Sequence, residues 1–309
     1  MSDGAATSVL IPTFRRPEGL ARAVASVLAQ TRLPGEIVIV DNDPSASARD
    51  LAAGLAAGSS VPIRYIHEPS PGVANARNTG FAAAGGRFIA QLDDDEEALP
   101  HWLASLLATR ETADCPVVFG PVTPLAADAG PTARALLERL YARTGPQEDA
   151  LRTRDWGCGN SLMDRAGITL PDPPFDPRTN ELGGEDDLLF VGLQNAGVRF
   201  AWSAHAGVIE HVEGKRARWP HMLARSFAYG QGASQNCIHG SKVDYPGLLG
   251  WMAVGLGQAV VFGLAALPAR LAAGPGMGAA CLDKAVQGLG KLFWMERLAP
   301  RFYGTASRG

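Results

Sequence analysis

Residues 88–97 read FIAQLDDDEE, an apolar run that passes without a break into five acids, Asp93 to Glu97. A short apolar run of this kind reads as a buried strand. Like charges at the end of such a strand repel one another and are screened less than on an open surface. Two readings compete. Glu96 and Glu97 can open a helix whose positive dipole end they complement. Alternatively, a divalent cation sits at the strand end, because hard cations such as Mg²⁺ take carboxylate oxygens and share them with substrate phosphates. The first reading suits the two glutamates better than it suits Asp93, Asp94 and Asp95.

Upstream, β-branched runs recur: SVLIPT at 8–13, EIVIVDN at 36–42, PIRYIHE at 62–68 and RFIAQLD at 87–93. Between them lie alanine- and leucine-rich stretches with helical spacing. This alternation predicts a mostly parallel central sheet flanked by crossover helices. Ligands of such sheets bind beyond the carboxyl ends of the strands. Here those ends are Pro12-Thr13, Asp41-Asn42, His67-Glu68 and Asp93 to Asp95, so four segments bring polar groups to one rim. A dinucleotide fold is disfavoured: PTFRRPEGLARAV follows the first strand where a Gly-rich pyrophosphate loop would be needed.

Downstream, CPVVFGPVTP reads as one more strand and TARALLERLYART as a helix. DWGCGNSLMDRAGI reads as an extended segment turning into a helix. ELGGEDDLLFVGLQNAG reads as a Gly-Gly break, an acidic helix start and a helix stopped by Gly197. VRFAWS and GVIEHVEG are short strands, and PDPPFDPRTN at 171–180 is a loop. There is no internal repeat.

Hydrophobic residues make up 46% of the 309 and charged residues 19%, with a formal net charge of −3. That balance is globular and carries no basic footprint for nucleic acid. Cys115, Cys158, Cys237 and Cys281 are widely spaced without a CxxC pair, which argues against zinc and a disulfide framework and for a reducing compartment. The N-terminus shows no secretory signal pattern. Residues 247–267, GLLGWMAVGLGQAVVFGLAAL, contain no charge and have the length of a membrane-crossing helix. They fit a spanning segment, a segment lying in the membrane interface, or a buried core helix. Arg270, Lys284, Lys291, Arg297 and Arg301, interleaved with Leu292, Phe293, Trp294 and Met295, suit an interfacial segment on anionic lipid. The expected division is therefore a catalytic α/β domain over 1–237 and a helical, membrane-associated extension over 238–309.

Five segments in order, SVLIPTFRRPEGLARAVASVLAQT, EIVIVDND, PGVANARNTGFAAAGGRFIAQLDDDEEALPHWL, GGEDDLLFVGLQNAG and IEHVEG, resemble the family-2 glycosyltransferases. These are inverting, nucleotide-sugar-dependent enzymes of the GT-A fold, and the likeness covers about residues 7–235. It implies that Pro12, Thr13 and Phe14 hold the nucleotide base, with Glu18 following, although Glu18 also suits a first-turn acid. Asp41 would bind uracil or ribose, against the plainer reading of a turn-forming Asp-Asn-Asp. Arg77, in GVANARNTG, would face the nucleotide. Asp93 and Asp95 would be the ends of a D-x-D motif holding Mg²⁺ or Mn²⁺ on the diphosphate, with Asp94 on the ribose and His211 as a further metal or diphosphate contact. Asp186 would be the base that deprotonates the acceptor, Glu185 would orient the acceptor or that base, and Trp156 and Asn160 would wall the acceptor side.

Processive synthases of this superfamily carry Q-x-x-R-W, whereas this chain has KRARW at 215–219, with Lys215 in place of glutamine. Arg216 or Arg218 could still reach the diphosphate. The likeness thus implies transfer of a single sugar from a nucleotide-sugar donor to a glycan or lipid-linked acceptor, at the cytosolic face of the cell membrane. Two other readings stay open: a nucleotidyltransferase of similar fold, which the missing Gly-rich signature disfavours, and a non-catalytic membrane-associated binding protein.

Overall fold

The computed structural model describes residues 4, 6–152, 157–180, 183–239, 243–300 and 302. In chain order the elements are β1 (Thr7–Thr13), α1 (Pro17–Leu28), β2 (Glu36–Asp41), α2 (Arg49–Ala57), β3 (Ile63–His67), α3 (Val73–Ala83), β4 (Phe88–Gln91), β5 (Glu96–Ala98) and α4 (Trp102–Ala113). Then follow β6 (Val117–Phe119), β7 (Val122–Leu125), α5 (Pro131–Tyr141), β8 (Ala150–Arg152), β9 (Ser161–Asp164), α6 (Glu185–Asn195), β10 (Phe200–Trp202) and β11 (Val208–His211). Helices α7 (Trp219–His239), α8 (Tyr245–Ala273) and α9 (Pro275–Leu292) complete the chain.

The main sheet runs β3-β2-β1-β4-β9-β6-β10-β8. Strands β1 to β4 are mutually parallel, β9 is antiparallel to both its neighbours, β10 is parallel to β6, and β8 is antiparallel at the edge. Alternation along each strand explains the two layers. Val9, Ile11, Ile37 and Ile39 face one way and pack with Leu20, Val24, Trp102 and Leu106 of α1 and α4. Leu10, Val38, Val40 and Ile89 face the other way, against Ala76 and Phe81 of α3 and Leu189 and Phe190 of α6. Both faces being covered, the strands read as unbroken apolar runs. The chain order turns back between β1 and β4, and that switch point is where open α/β sheets bind ligands.

Three readings of the sequence need correction. Glu96 and Glu97 do not open a helix: they form β5, paired antiparallel with β11, and α4 starts only at Trp102. CPVVFGPVTP is two strands, β6 and β7, because the chain breaks at Gly120-Pro121. After β9 there is a turn and no helix, since the Asp164 carboxylate accepts from the Ala166 N–H and its carbonyl from the Gly167 N–H.

The described residues group into two compact units: those up to 123 with 143–211, and 124–142 with 212–300. In the second, Leu136, Leu137 and Leu140 of α5 pack with Met222 of α7 and Ala279 of α9. Helices α5 and α7 thus belong with the C-terminal helices, whereas a boundary at 237/238 assigns them to the α/β domain. Of α8 only Leu248 and Gly255 are buried, and Leu264 and Leu271 are 76% and 78% exposed. Residues 247–267 are therefore no buried core helix.

Candidate active site

At the switch point, Thr13 Oγ1 donates to Asp94 Oδ2 at 2.8 Å, and the Phe14 N–H reaches the same oxygen at 3.3 Å. These bonds tie the end of β1 to the turn after β4. Arg16, at the entrance to α1, donates from one nitrogen to Asp94 Oδ1 (2.9 Å) and Asp95 Oδ2 (2.6 Å). Part of the acidic triplet's repulsion is relieved by this arginine. It is not enough: burial pushes the Asp94 carboxyl up to about 6 against the pull of Arg16 and Thr13, with Asp95 and Asp93 adding to the rise. Nothing within FRR itself distinguishes Arg16 from Arg15. Arg15 in fact pairs with Asp43 at 2.9 Å.

Arg77 extends from α3 across the same turn. Its guanidinium donates to Gln91 Oε1 (3.2 Å) and Asp93 Oδ1 (2.9 Å), and its Nε lies 3.5 Å from Glu185 Oε1. The nearby acids hold it charged, well above the ordinary arginine range, despite its burial. Arg77, expected to face the nucleotide, is 4% exposed and links the end of β4 to the start of α6.

Gly184, with φ of 85°, precedes α6 and sets Glu185 and Asp186 in its first turn. Glu185 is 6% exposed, and burial raises its carboxyl while Arg77 opposes the rise. Asp186 is only half-buried, its Oδ1 accepting from the Asp187 N–H at 2.9 Å. Facing it is Gly157, where an added Cβ would stand 3.6 Å from Asp186 Oδ2 and 3.2 Å from the Arg143 guanidinium. Arg143 holds this wall together, donating to the carbonyls of Gly120 (2.9 Å), Gly157 (3.1 Å), Gly159 (2.6 Å) and Asn160 (2.8 Å). It was missed in the sequence because YARTGP has no motif, and its partners are main-chain atoms. Glu96 closes the floor: its Oε2 accepts from the Asp93 N–H at 2.9 Å, and burial pushes its carboxyl well above the usual range, with Asp93 adding.

Asn160, expected on the acceptor wall, and Asp41, expected on the nucleotide, both have protein partners for their side chains. Asn160 is fully buried with φ of 52°, accepting from Trp102 Nε1 (2.8 Å) and donating to the carbonyls of Pro121 and Ala206 (2.8 Å each). Asp41 is also fully buried. Its oxygens accept from the N–H groups of Asp43 (3.0 Å) and Ala48 (2.8 Å) and from the Tyr65 hydroxyl (3.0 Å), so it builds the loop after β2. The remaining positions fall as follows. Pro12 lies in β1 beside Val40, Phe14 is 40% exposed, and Glu18 is exposed in the first turn of α1. His211 is held beside Asp95 by a bond from its N–H to the Asp95 carbonyl (2.8 Å), while its ring meets Glu97 at 2.9 Å. Trp156 lies outside the described residues. Lys215, Arg216 and Arg218 belong to the second unit.

Among the described residues no three His, Cys, Asp or Glu side chains form a metal cage. Magnesium asks for less, one or two carboxylates with the rest supplied by water and substrate phosphates. Asp93 and Asp95 are hard-oxygen donors on one turn, and the Asp94 carboxyl between them is raised by burial, with its two acidic neighbours adding to the rise. The donor set fits such an ion.

Thr13, Phe14, Arg77, Asp93 to Asp95, Glu185 and Asp186 thus share one rim. Residues 8–168 match the family model described as Glycosyl transferase family 2. Succinoglycan biosynthesis protein ExoM of Rhizobium meliloti (strain 1021) is 34% identical over 222 residues, 71% of this chain and 71% of that one. Succinoglycan biosynthesis protein ExoW of the same organism is 36% identical over 113 residues, 35% of each chain. The UDP-Glc:alpha-D-GlcNAc-diphosphoundecaprenol beta-1,3-glucosyltransferase WfgD of Escherichia coli is 33% identical over 101 residues, 32% of this chain and 37% of that one.

Proposed function

The chain belongs to glycosyl transferase family 2 and is a glycosyltransferase, and from that premise we propose that it moves one sugar, with inversion, from a UDP-sugar to a lipid-linked or glycan acceptor during exopolysaccharide assembly. The observation that carries this reading is the Arg77 bridge. It gathers the Asp93 carboxylate at the end of β4 and the acids opening α6 onto one rim. One set of carboxylates suits the diphosphate side, and the other suits an acceptor hydroxyl.

A Mg²⁺ or Mn²⁺ ion held by Asp93 and Asp95 would neutralise the charge that grows on the leaving diphosphate. Thr13 and Phe14 keep the neighbouring Asp94 in place. Asp186 accepts the acceptor hydroxyl's proton as that oxygen bonds to the anomeric carbon and the bond to the diphosphate breaks. Its half-exposed position suits this role better than that of Glu185, which Arg77 occupies. Glu185 orients the first turn of α6.

The names of the relatives support the setting: two are succinoglycan biosynthesis proteins, and one is a glucosyltransferase named for UDP-Glc and a diphosphoundecaprenol-linked acceptor. The exposed apolar surface of α8 and the free thiols support the cytosolic face of a membrane. The deciding experiment incubates the full chain with UDP-sugars, Mn²⁺ and undecaprenyl-diphosphate-linked acceptors. It follows UDP release and reads the anomeric configuration of the product by NMR. Retention of configuration, or no transfer with any UDP-sugar, would sink the reading.

A further inference from the structure

Helix α8 is long enough to cross a bilayer, but we propose, on the membrane-associated reading above, that it lies flat in the interface of an anionic bilayer with both ends on one side. From Tyr245 to Ala269 there are 25 residues without a charge, bracketed by Asp244 and Arg270. Its most apolar window has a mean hydropathy of 1.8, and only 11% of that window is buried. At about 1.5 Å per residue, such a stretch exceeds the roughly 30 Å of a hydrocarbon core. Length alone therefore permits both orientations.

The neighbour decides between them. Helix α9 runs antiparallel along α8, as the close approaches show: Gly278 against the Arg270 side chain, Gly263 against Ala285, and Gly288 against Gly255, where an added Cβ would stand 2.5 Å from the Gly255 carbonyl oxygen. This register puts Asp283, Lys284, Gln287 and Lys291 level with the middle of α8. Asp283 is 3% exposed, held by Arg139 of α5 (3.1 Å) and by Gln287 (2.9 Å). On its other flank α9 meets α7, with Gly230 against the Gln287 carbonyl and Gly290 against that of Phe227. A spanning α8 would carry this ion pair and the buried Lys291 into hydrocarbon, where charged groups are costly. Lying flat, α8 offers Leu256, Val260, Leu264, Leu267 and Leu271 to lipid and keeps α9 on the wet side.

Charge selects the partner. The second unit holds eleven Lys and Arg against six Asp and Glu, a net of +5, in a chain whose total is −3. An anionic lipid surface complements that excess. A second copy of the same unit would meet it with like charge.

The test uses the purified full chain with vesicles of phosphatidylcholine, alone or mixed with phosphatidylglycerol. Flotation with the mixed vesicles, weakened by salt, is expected. Leu264→Glu with Leu271→Glu, both at exposed positions, should abolish flotation without moving the melting temperature. Val243→Cys and Ala273→Cys, flanking the helix, should each react with an impermeant maleimide added outside the vesicles, above the parent chain's background. Protection of one end until detergent is added would overturn the flat orientation in favour of spanning. A soluble monomer or dimer that ignores both vesicle types would overturn the lipid partner. None of these readouts needs sugar transfer, so failure of the catalytic reading is scored separately.

Discussion

Arg77 Nε stands 3.5 Å from Glu185 Oε1 and is buried with no hydrogen-bond partner, while the other end of the guanidinium holds Asp93. One buried cation thus serves two acids from distant segments. Arg77→Met leaves both acids without it and should cost about 3–5 kcal/mol, the range for breaking a buried pair. Adding Glu185→Gln should recover part of that loss, because a neutral amide is cheaper to bury than an unpaired carboxylate. Denaturant melts of the two single mutants and the double mutant measure the coupling; simple additivity would mean that the pair is not coupled.

Asp186→Asn retains the side chain's shape and removes the proton acceptor. Donor binding should survive, and single-turnover transfer should fall by roughly two to four orders of magnitude. Glu185→Gln should be milder. Near-normal transfer by folded Asp186→Asn protein would move the base elsewhere.

Asp95→Asn should remove most Mn²⁺-dependent UDP binding seen by calorimetry, since an amide is a poorer ligand for a hard cation. The pH dependence has a definite sign. The Asp94 carboxyl is raised to about 6, so the folded chain holds this proton where an unfolded chain has lost it. Its contribution to stability is full below about pH 4 and is lost as pH rises through about 6. Cation binding runs the other way and should strengthen by up to about tenfold from pH 5 to 7 as Asp94 ionises. Asp94→Asn should flatten that profile; an unchanged slope would assign it to another group.

Asn160→Ala orphans the Trp102 indole N–H and two carbonyls, with a predicted loss of about 2–4 kcal/mol. Its effect should appear in the melting temperature, with KM for acceptor little changed in protein that remains folded. A raised KM with normal stability would return Asn160 to the acceptor wall.

The parallel half of the sheet was legible because β1, β2 and β4 are apolar on both faces and end in polar groups. Asp93 to Asp95 and the first turn of α6 were legible for the same reason: charge clusters at element ends stand out. Asp41 and Asn160 were ambiguous because an acid after a strand and an asparagine after glycines look alike whether they face a ligand or cap a loop. Only burial and hydrogen-bond partners separate the two cases. Arg16 and Arg143 were invisible for the opposite reason, since arginine is common on surfaces and nothing local shows that it will bind main-chain carbonyls or a distant turn. Strand β9 was extended as expected, but its placement between β4 and β6 depends on contacts across about 70 residues of chain, as Gln91 beside Ser161 shows.

That placement sets an order on synthesis. Strands β4 and β6 leave the ribosome well before the segment that joins them, which ends at Asp164. Until then, the nascent chain carries two apolar edges with unpaired amides and carbonyls, the condition under which strands recruit neighbours. A chain stopped near residue 120 would hold Thr13 and the whole acidic triplet, yet it would be a sticky fragment. The antiparallel strand that ends at Asp164 is the clasp that covers both edges, and a chain that lacks it leaves them open.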